Sequence, residues 1–306
     1  MSVGKKVIMA DVSLLGIALA WGYTFVLTKD LLNETSPLFL TGARFLLAAL
    51  LLLCFKYNAL KKAGWNVWKR GIQCGIPLWA GFALQTVGIA HTTPGKAGVL
   101  TGTVVIIVPL LSFIIMRSAV PKGAVIGSLL TFCGLALLSW DGGTLYMSGG
   151  DLLVLLCAVC FAIHILLVDR IYKQKESFDD LIFIMIQLLV VGVISLPLAF
   201  WFEPLPQLLS AYGWFAFGFD LLIGTLLAYI VQIKAQQYSP PAHVSLLLSL
   251  ESFFAFLFSW LLWGEVITSS IIIGIFLILF GILVTEASSI FRPLKETSAG
   301  KEADIR

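Results

Sequence analysis

Ten apolar stretches follow one another along this chain with only short polar turns between them. They lie at about 10–28, 37–55, 71–90, 97–116, 123–140, 151–168, 181–202, 212–234, 242–263 and 270–287. Each is near the ~20 residues that an α-helix needs to cross a bilayer. Hydrocarbon offers no partner to a backbone N–H or C=O, so spanning segments of this length are helical. Only 12% of the 306 residues are charged and the mean hydropathy is +0.99, against about 25% charged in a soluble domain. The expected fold is therefore an all-α polytopic membrane protein with ten transmembrane helices and no soluble domain. Cys54, Cys74, Cys133, Cys157 and Cys160 all fall inside apolar runs. They read as small apolar fillers, and the single Cys157-x-x-Cys160 spacing lacks the second pair of a zinc site.

The two halves echo each other. Shifted by 147 positions, Gln232 falls on Gln85, Pro241 on Pro94, Ser259 on Ser112, Gly274 on Gly127 and Gly281 on Gly134. Weak internal symmetry between hydrophobic halves is the mark of a repeat-built transporter. The expected units are 11–140 and 151–288, joined by a loop-like linker at 141–150 (DGGTLYMSGG) and followed by a polar tail at 289–306. A charged loop is expected at 169–180. Ala18-Leu19-Ala20 resembles a signal-peptide cleavage site, but Asp11 interrupts the apolar core and 151–161 repeats the pattern of 11–21, so the first segment is read as a span.

Five spans in each half give the halves opposite orientation, a 5+5 inverted repeat. Charge placement fixes the sense. With the N-terminus in the cytoplasm, 17 of the 20 Lys and Arg residues lie on the cytoplasmic side, Lys29 and Lys96 lie outside, and Arg44 lies within a span. That bias puts both termini inside, in the plasma (inner) membrane.

Among the polar residues within spans, Glu251 is the sharpest candidate. It has about ten apolar-biased residues on each side, LLLSL before it and SFFAFLF after it, and a charge at that depth costs at least ~2.5 kcal/mol. Such a carboxylate binds a substrate amine, carries a coupling proton, or pairs structurally with another helix, for which Arg44 is the partner at hand. Arg44 lies about seven residues below the outer end of its span, roughly 10 Å at 1.5 Å per residue. It is read first as structural, snorkelling or locking helices, and second as a holder of a substrate carboxylate. Tyr229, Gln232 and Gln236 recur at i, i+3 and i+7 and share a helical face, with Gln85 as the symmetry mate of Gln232. Amides there suit a cavity or an interhelical bond equally. Tyr23 and Thr24 are polar positions in the first span, and His164 falls opposite them at an offset of 140. Gly127, Gly134, Gly274 and Gly281 read as close helix packing. No HExxH, GxSxG or phosphate-binding loop is present, so no cofactor, metal or nucleic acid is expected.

Ala43-Arg44-Phe45, Gln85 with TTPGKAGVLTGTVVIIVPLLS after it, Gln232 and Ala235-Gln236, SLESFFAFLFSWLLWGE, and Gly274 with Gly281 follow in an order that resembles the EamA family of the drug/metabolite transporter superfamily. The resemblance runs from about Asp11 to Thr285. It departs at Ser252, where many members have proline after the glutamate, and at His164, where a small or apolar residue is usual. It implies a central cavity lined by helices one, three, four, six, eight and nine, and transport of small metabolites, often amino acids and often outward. The expected function is thus a secondary carrier for a small polar metabolite by alternating access, with Tyr23, Thr24, Gln85, His164, Tyr229, Gln232, Gln236 and Glu251 as substrate-binding candidates. A multidrug exporter of the same fold differs by an aromatic, charge-poor cavity. An intramembrane enzyme would need clustered carboxylates, and Glu251 alone is central. Substrate identity, coupling ion and oligomeric state stay open.

The charge count is checked by labelling single cysteines in a cysteine-free background. An impermeant reagent added outside should label position 145 and leave positions 5 and 295 untouched. Outside labelling at 5 or 295 reverses the topology.

Overall fold

A computed structural model describes residues 3–116, 122–138, 140–141, 144–145, 147–174, 178–238, 241–266 and 268–290. The chain is helical almost throughout. In order come α1 (Val3–Leu31), α2 (Pro37–Leu60), α3 (Trp65–Ala90), α4 (Pro94–Gly102), α5 (Val104–Met116), α6 (Lys122–Leu138), α7 (Gly149–Lys173), α8 (Asp180–Phe202) and α9 (Ala211–Phe219). A π-helical run, Asp220–Leu227, continues α9 into α10 (Ala228–Ala235). Then follow α11 (Pro241–Ser249), α12 (Glu251–Phe258), a second π-helical run at Ser259–Trp263, and α13 (Ser269–Ile290). Among the described residues seven helical stretches are long and apolar enough to cross a membrane, and Val125–Gly134, Leu247–Trp263 and Ser269–Gly281 are shorter apolar helices.

Several expectations are corrected. The linker is not wholly irregular: Trp140–Asp141 pairs antiparallel with Thr144–Leu145, a two-residue ladder in an otherwise helical chain. The charged stretch at 169–180 begins as helix, because Asp169 and Lys173 lie one turn apart and bridge at 2.7 Å, the i,i+4 pairing that supports an exposed helix end. The first span is longer than 10–28: α1 runs from Val3 to Leu31, and its apolar part covers Ile8–Leu31. The tail beyond 290, the turn at 117–121 and positions 239–240 lie outside the described residues.

Helix starts follow local chemistry. Ser148 and Asp151 form a reciprocal capping box at α7, and Asp179 and Ser210 cap α8 and α9 through their side chains. Ser36 gives α2 no side-chain cap. Glu203 does that from the other half of the chain, accepting from Leu38 N at 2.8 Å and Phe39 N at 3.0 Å. A carboxylate at a helix N-terminus satisfies orphan N–H groups and meets the positive end of the dipole. Glu34 returns the arrangement. It accepts from Ser210 Oγ at 2.7 Å and Ser210 N at 2.6 Å, and those two bonds hold its carboxyl below the usual range. The run Ser259–Trp263 ends at Gly264, whose φ of 71° is the left-handed geometry that glycine adopts without Cβ strain.

The largest apolar core joins α2, α3, α7 and α8 around Phe45, Phe82, Phe183 and Ile186. α6 and α13 make a separate pair. A methyl group built on Gly134 would lie 2.5 Å from the Gly274 carbonyl oxygen, and one on Gly281 would lie 2.6 Å from that of Gly127. The backbones approach closely at these glycines, with the side chains of Ile278 and Thr131 packed beside them.

Gly134→Val should therefore destabilise the protein by about 1–3 kcal/mol through overpacking. Gly16→Ala, with nothing within 4 Å of the added methyl, should be neutral or slightly stabilising. Melting curves in one detergent compare the two.

Candidate functional site

A cavity lies where α1, α3, α4, α5, α7, α10, α11 and α12 converge, with α2 contributing one residue. From α1 come Trp21, Thr24, Phe25 and Thr28, spaced at i, i+3, i+4 and i+7 so that one face looks inward. From α3 come Phe82, Gln85 and Ile89, and from α7 come Phe161, His164 and Ile165, with similar helical spacing.

Three breaks in helical regularity occur at this cavity. α4 stops at Gly102 and α5 begins at Val104; α11 stops at Ser249 and α12 begins at Glu251. The bounds differ by 147 at each of Pro94/Pro241, Gly102/Ser249 and Val104/Glu251, the same offset that superposes Gln85 on Gln232. Glu251 is thus the first residue of a half-helix, at the positive end of its dipole. It is 6% exposed, lines the cavity, and makes no hydrogen bond or ion pair among the described residues. Ser252 beside it donates to the Gly98 carbonyl at 3.0 Å, so the departure from proline supplies a bond between α12 and α4.

The third break is the π-helical run, which begins at Asp220. Its i→i+5 winding is doubled by Thr225 Oγ1, which donates to the Asp220 carbonyl at 2.8 Å, and such segments gather at functional sites. The run turns the Asp220 carboxylate into the cavity against Arg44, 2.5 Å from Nη1. Both are buried, at 4% for Arg44 and 1% for Asp220. Thr28 Oγ1 donates to the bonded oxygen, Oδ2, at 3.2 Å. Oδ1 of Asp220 and Nε of Arg44 have no hydrogen-bond partner. The guanidinium packs against the neighbouring rings of Phe45 and Phe82, 5.2 and 5.1 Å from their centroids, the distance of a cation–π contact. Gly224 permits the run to sit here: an added Cβ would lie 2.8 Å from Asp220 Oδ1 and 2.9 Å from Thr24 Cγ2, and Trp21 Nε1 donates to its carbonyl at 2.7 Å.

Of the residues singled out from sequence, Thr24, Gln85, His164, Tyr229, Gln232, Glu251 and Arg44 line the cavity. Tyr23 does not. One position off the inward face of α1, its ring meets Phe219 and Phe258, each at 5.3 Å. Gln236 is not among the lining residues either: it caps α10 in αR geometry, with its amide buried and without a hydrogen-bond partner. Arg44 pairs with Asp220, not with Glu251. Asp220 also corrects the expectation of a single central carboxylate, since two line the cavity. Its sequence signal was present, one acid inside the apolar run at 212–234. His164 is held by Gln187, which no sequence pattern picked out. Gln187 Nε2 donates to the Phe183 carbonyl at 3.2 Å, which leaves Oε1 facing His164 Nε2 at 2.8 Å; with the amide so oriented, Nε2 is the donor. Gln85 Nε2 donates to Thr101 Oγ1 at 3.2 Å, whereas Gln232 Oε1 has no partner. Gly127, Gly134, Gly274 and Gly281 lie away from the cavity in the α6–α13 contact. No cluster of three or more His, Cys, Asp or Glu suited to a metal occurs among the described residues.

The sequence profile of the EamA-like transporter family matches twice, over residues 8–140 and 148–286, and the chain belongs to that family. An uncharacterized transporter of Archaeoglobus fulgidus is 33% identical over 281 residues, 92% of this chain and 87% of its own. The uncharacterized transporter YyaM of Bacillus subtilis is 28% identical over 92% of this chain and 94% of its own. Protein PecM of Dickeya dadantii is 24% identical over 93% and 94% respectively. A protein crystal structure superposes with a TM-score of 0.70 at 17% identity, covering 93% of this chain and 99% of its own, a likeness of fold. The chain is accordingly a multi-pass membrane protein of a transporter family.

Removing one member of a buried ion pair leaves the other charge uncompensated and costs about 3–5 kcal/mol. Arg44→Gln should therefore lower stability strongly, and Arg44→Gln with Asp220→Asn should recover most of it. Melting curves for the four members of this double-mutant cycle measure the coupling, and additive effects would show the pair contributes nothing.

Proposed function

We propose that the protein is a secondary carrier that exports small polar metabolites bearing an amine, such as amino acids, by alternating access around this cavity. The observation that carries the reading is Glu251: a buried carboxylate at a helix break, facing the cavity, with no hydrogen bond or ion pair among the described residues. Unpaired buried charge is expensive, and an intramembrane carboxylate that faces a cavity marks a substrate or ion pathway. A substrate ammonium meets the carboxylate in one state, and a proton neutralises it in the other. One guanidinium and two carboxyl side chains, Arg44, Asp220 and Glu251, line the cavity, which favours a polar metabolite over the charge-poor cavity of a multidrug exporter. The rings of Trp21, Phe82, Phe161 and Tyr229 then receive the apolar part of the substrate.

In this reading the chain makes ten spans as a 5+5 inverted repeat, 11–140 and 151–288, joined by 141–150. Support comes from the two matches to one family profile, from the 147-residue offset shared by helix bounds and cavity amides, and from α6 and α13. There Gly134 meets Gly274 while Gly281 meets Gly127, so the contact maps onto itself under the offset, as a pseudo-two-fold axis requires. Both termini and the tail at 289–306 face the cytoplasm of a cell whose plasma membrane holds the carrier, as the basic loops favour.

Glu251→Gln keeps the size of the side chain and removes its charge. It should abolish amino-acid efflux, or uncouple it from a pH gradient, in proteoliposomes while leaving the melting temperature within a few degrees. Normal transport with unchanged pH dependence would refute the role given to Glu251.

A further inference from the structure

We infer that Asp220 sets the charge selectivity of the cavity: by occupying Arg44 it withdraws the one cation from substrates, so that the site admits amines and zwitterions and excludes simple anions. The inference deepens the function proposed above and rests on that reading.

Arg44 alone would make the cavity an anion site. A buried guanidinium packed on aromatic rings at a cavity wall is the arrangement that captures carboxylates and phosphates. Asp220 stands in the place of such a ligand. Its Oδ2 lies 2.5 Å from Nη1, and Thr28 Oγ1 donates to that oxygen as well. The carboxylate is fixed by the π-helical winding that starts at its own residue. The pair is neutral, and Glu251 remains as the uncompensated charge lining the cavity, so the site as a whole carries a negative balance. A free anion entering it faces Glu251 with no open cation to compensate, whereas an ammonium is drawn in. The groups left unpartnered on the ion pair, Arg44 Nε and Asp220 Oδ1, are one donor and one acceptor. Asp220 is thus a specificity-determining residue that acts through Arg44.

The test uses minimal ions on the purified full-length protein in detergent, at constant ionic strength, with the melting temperature as readout. Methylammonium reports on Glu251 and acetate on Arg44. In the wild type, methylammonium should raise the melting temperature relative to sodium, and acetate should give no rise relative to chloride. In Asp220→Asn, acetate should raise it by several degrees, and Arg44→Gln with Asp220→Asn should lose that gain. Asp220→Glu should behave as the wild type. Acetate stabilising the wild type as much as Asp220→Asn, or stabilising neither, overturns the inference. If Asp220→Asn does not fold, Asp220→Ala purified in acetate decides instead: recovery of folded protein by acetate and not by chloride supports the assignment, and no recovery refutes it. Failure of the methylammonium arm alone counts against the role of Glu251 and leaves that of Asp220 standing.

Discussion

A helix in hydrocarbon cannot leave backbone groups unpaired, since each costs several kcal/mol. That constraint decides where this chain is allowed to be irregular. The gap between Gly102 and Val104, the gap between Ser249 and Glu251, and the π-helical run at Asp220–Leu227 all fall where polar groups converge. Side chains repair the ladders there: Thr103 Oγ1 donates to the Leu100 carbonyl at 2.7 Å, Thr225 to that of Asp220, and Trp21 to that of Gly224. The cavity exists because helices were interrupted, and the interruptions are tolerated because they face the cavity.

Much of this was legible in the sequence. Apolar run length located the seven stretches long enough to cross a membrane, because the bilayer imposes a common length on them. The 147-residue offset anticipated that Gln85 and Gln232 line the same cavity; the matching breaks of α4/α5 and α11/α12 were not legible, since both segments read as unbroken apolar runs. Glu251 stood out because nothing near it in the chain is charged. What stayed hidden depends on distant partners or on local departures from 3.6-residue winding. Asp220 lies 176 positions from Arg44, and only the folded chain shows that they meet. Gln187 reaches His164 from another helix. Tyr23 is turned off the inward face of α1 by a single residue, and Gln236, the cap of α10, is not among the residues lining the cavity.

The turns beside the cavity are joined by acids that cross between the halves. Glu203 caps α2, Glu34 binds the start of α9, and Glu265 accepts from Thr93 Oγ1 at 2.6 Å and from Gly95 N at 3.2 Å. Lys96 bridges to Asp151 at 2.6 Å, and Lys29 donates to the last carbonyls of α3, Ile89 at 2.9 Å and Ala90 at 3.1 Å. Lys29 and Lys96, the two cations assigned to the external side by charge counting, are therefore both engaged, Lys29 with the negative C-terminal end of α3 and Lys96 with the Asp151 carboxylate in the first turn of α7. The far end is held by fewer and more exposed contacts, such as Lys56 with Asp179 at 2.8 Å.

The contact between α6 and α13 has a mechanical meaning. Where Gly134 meets Gly274 and Gly281 meets Gly127, the separation of the helices is set by main-chain van der Waals radii, with the β-branched side chains of Ile278 and Thr131 beside the contact. Such a joint resists compression and shear while leaving rotation about the crossing point comparatively free. If the two halves of the molecule rock against each other, the bearing is here, far from any charge, and the rearrangement of side chains is confined to the surfaces on the other side of the bundle.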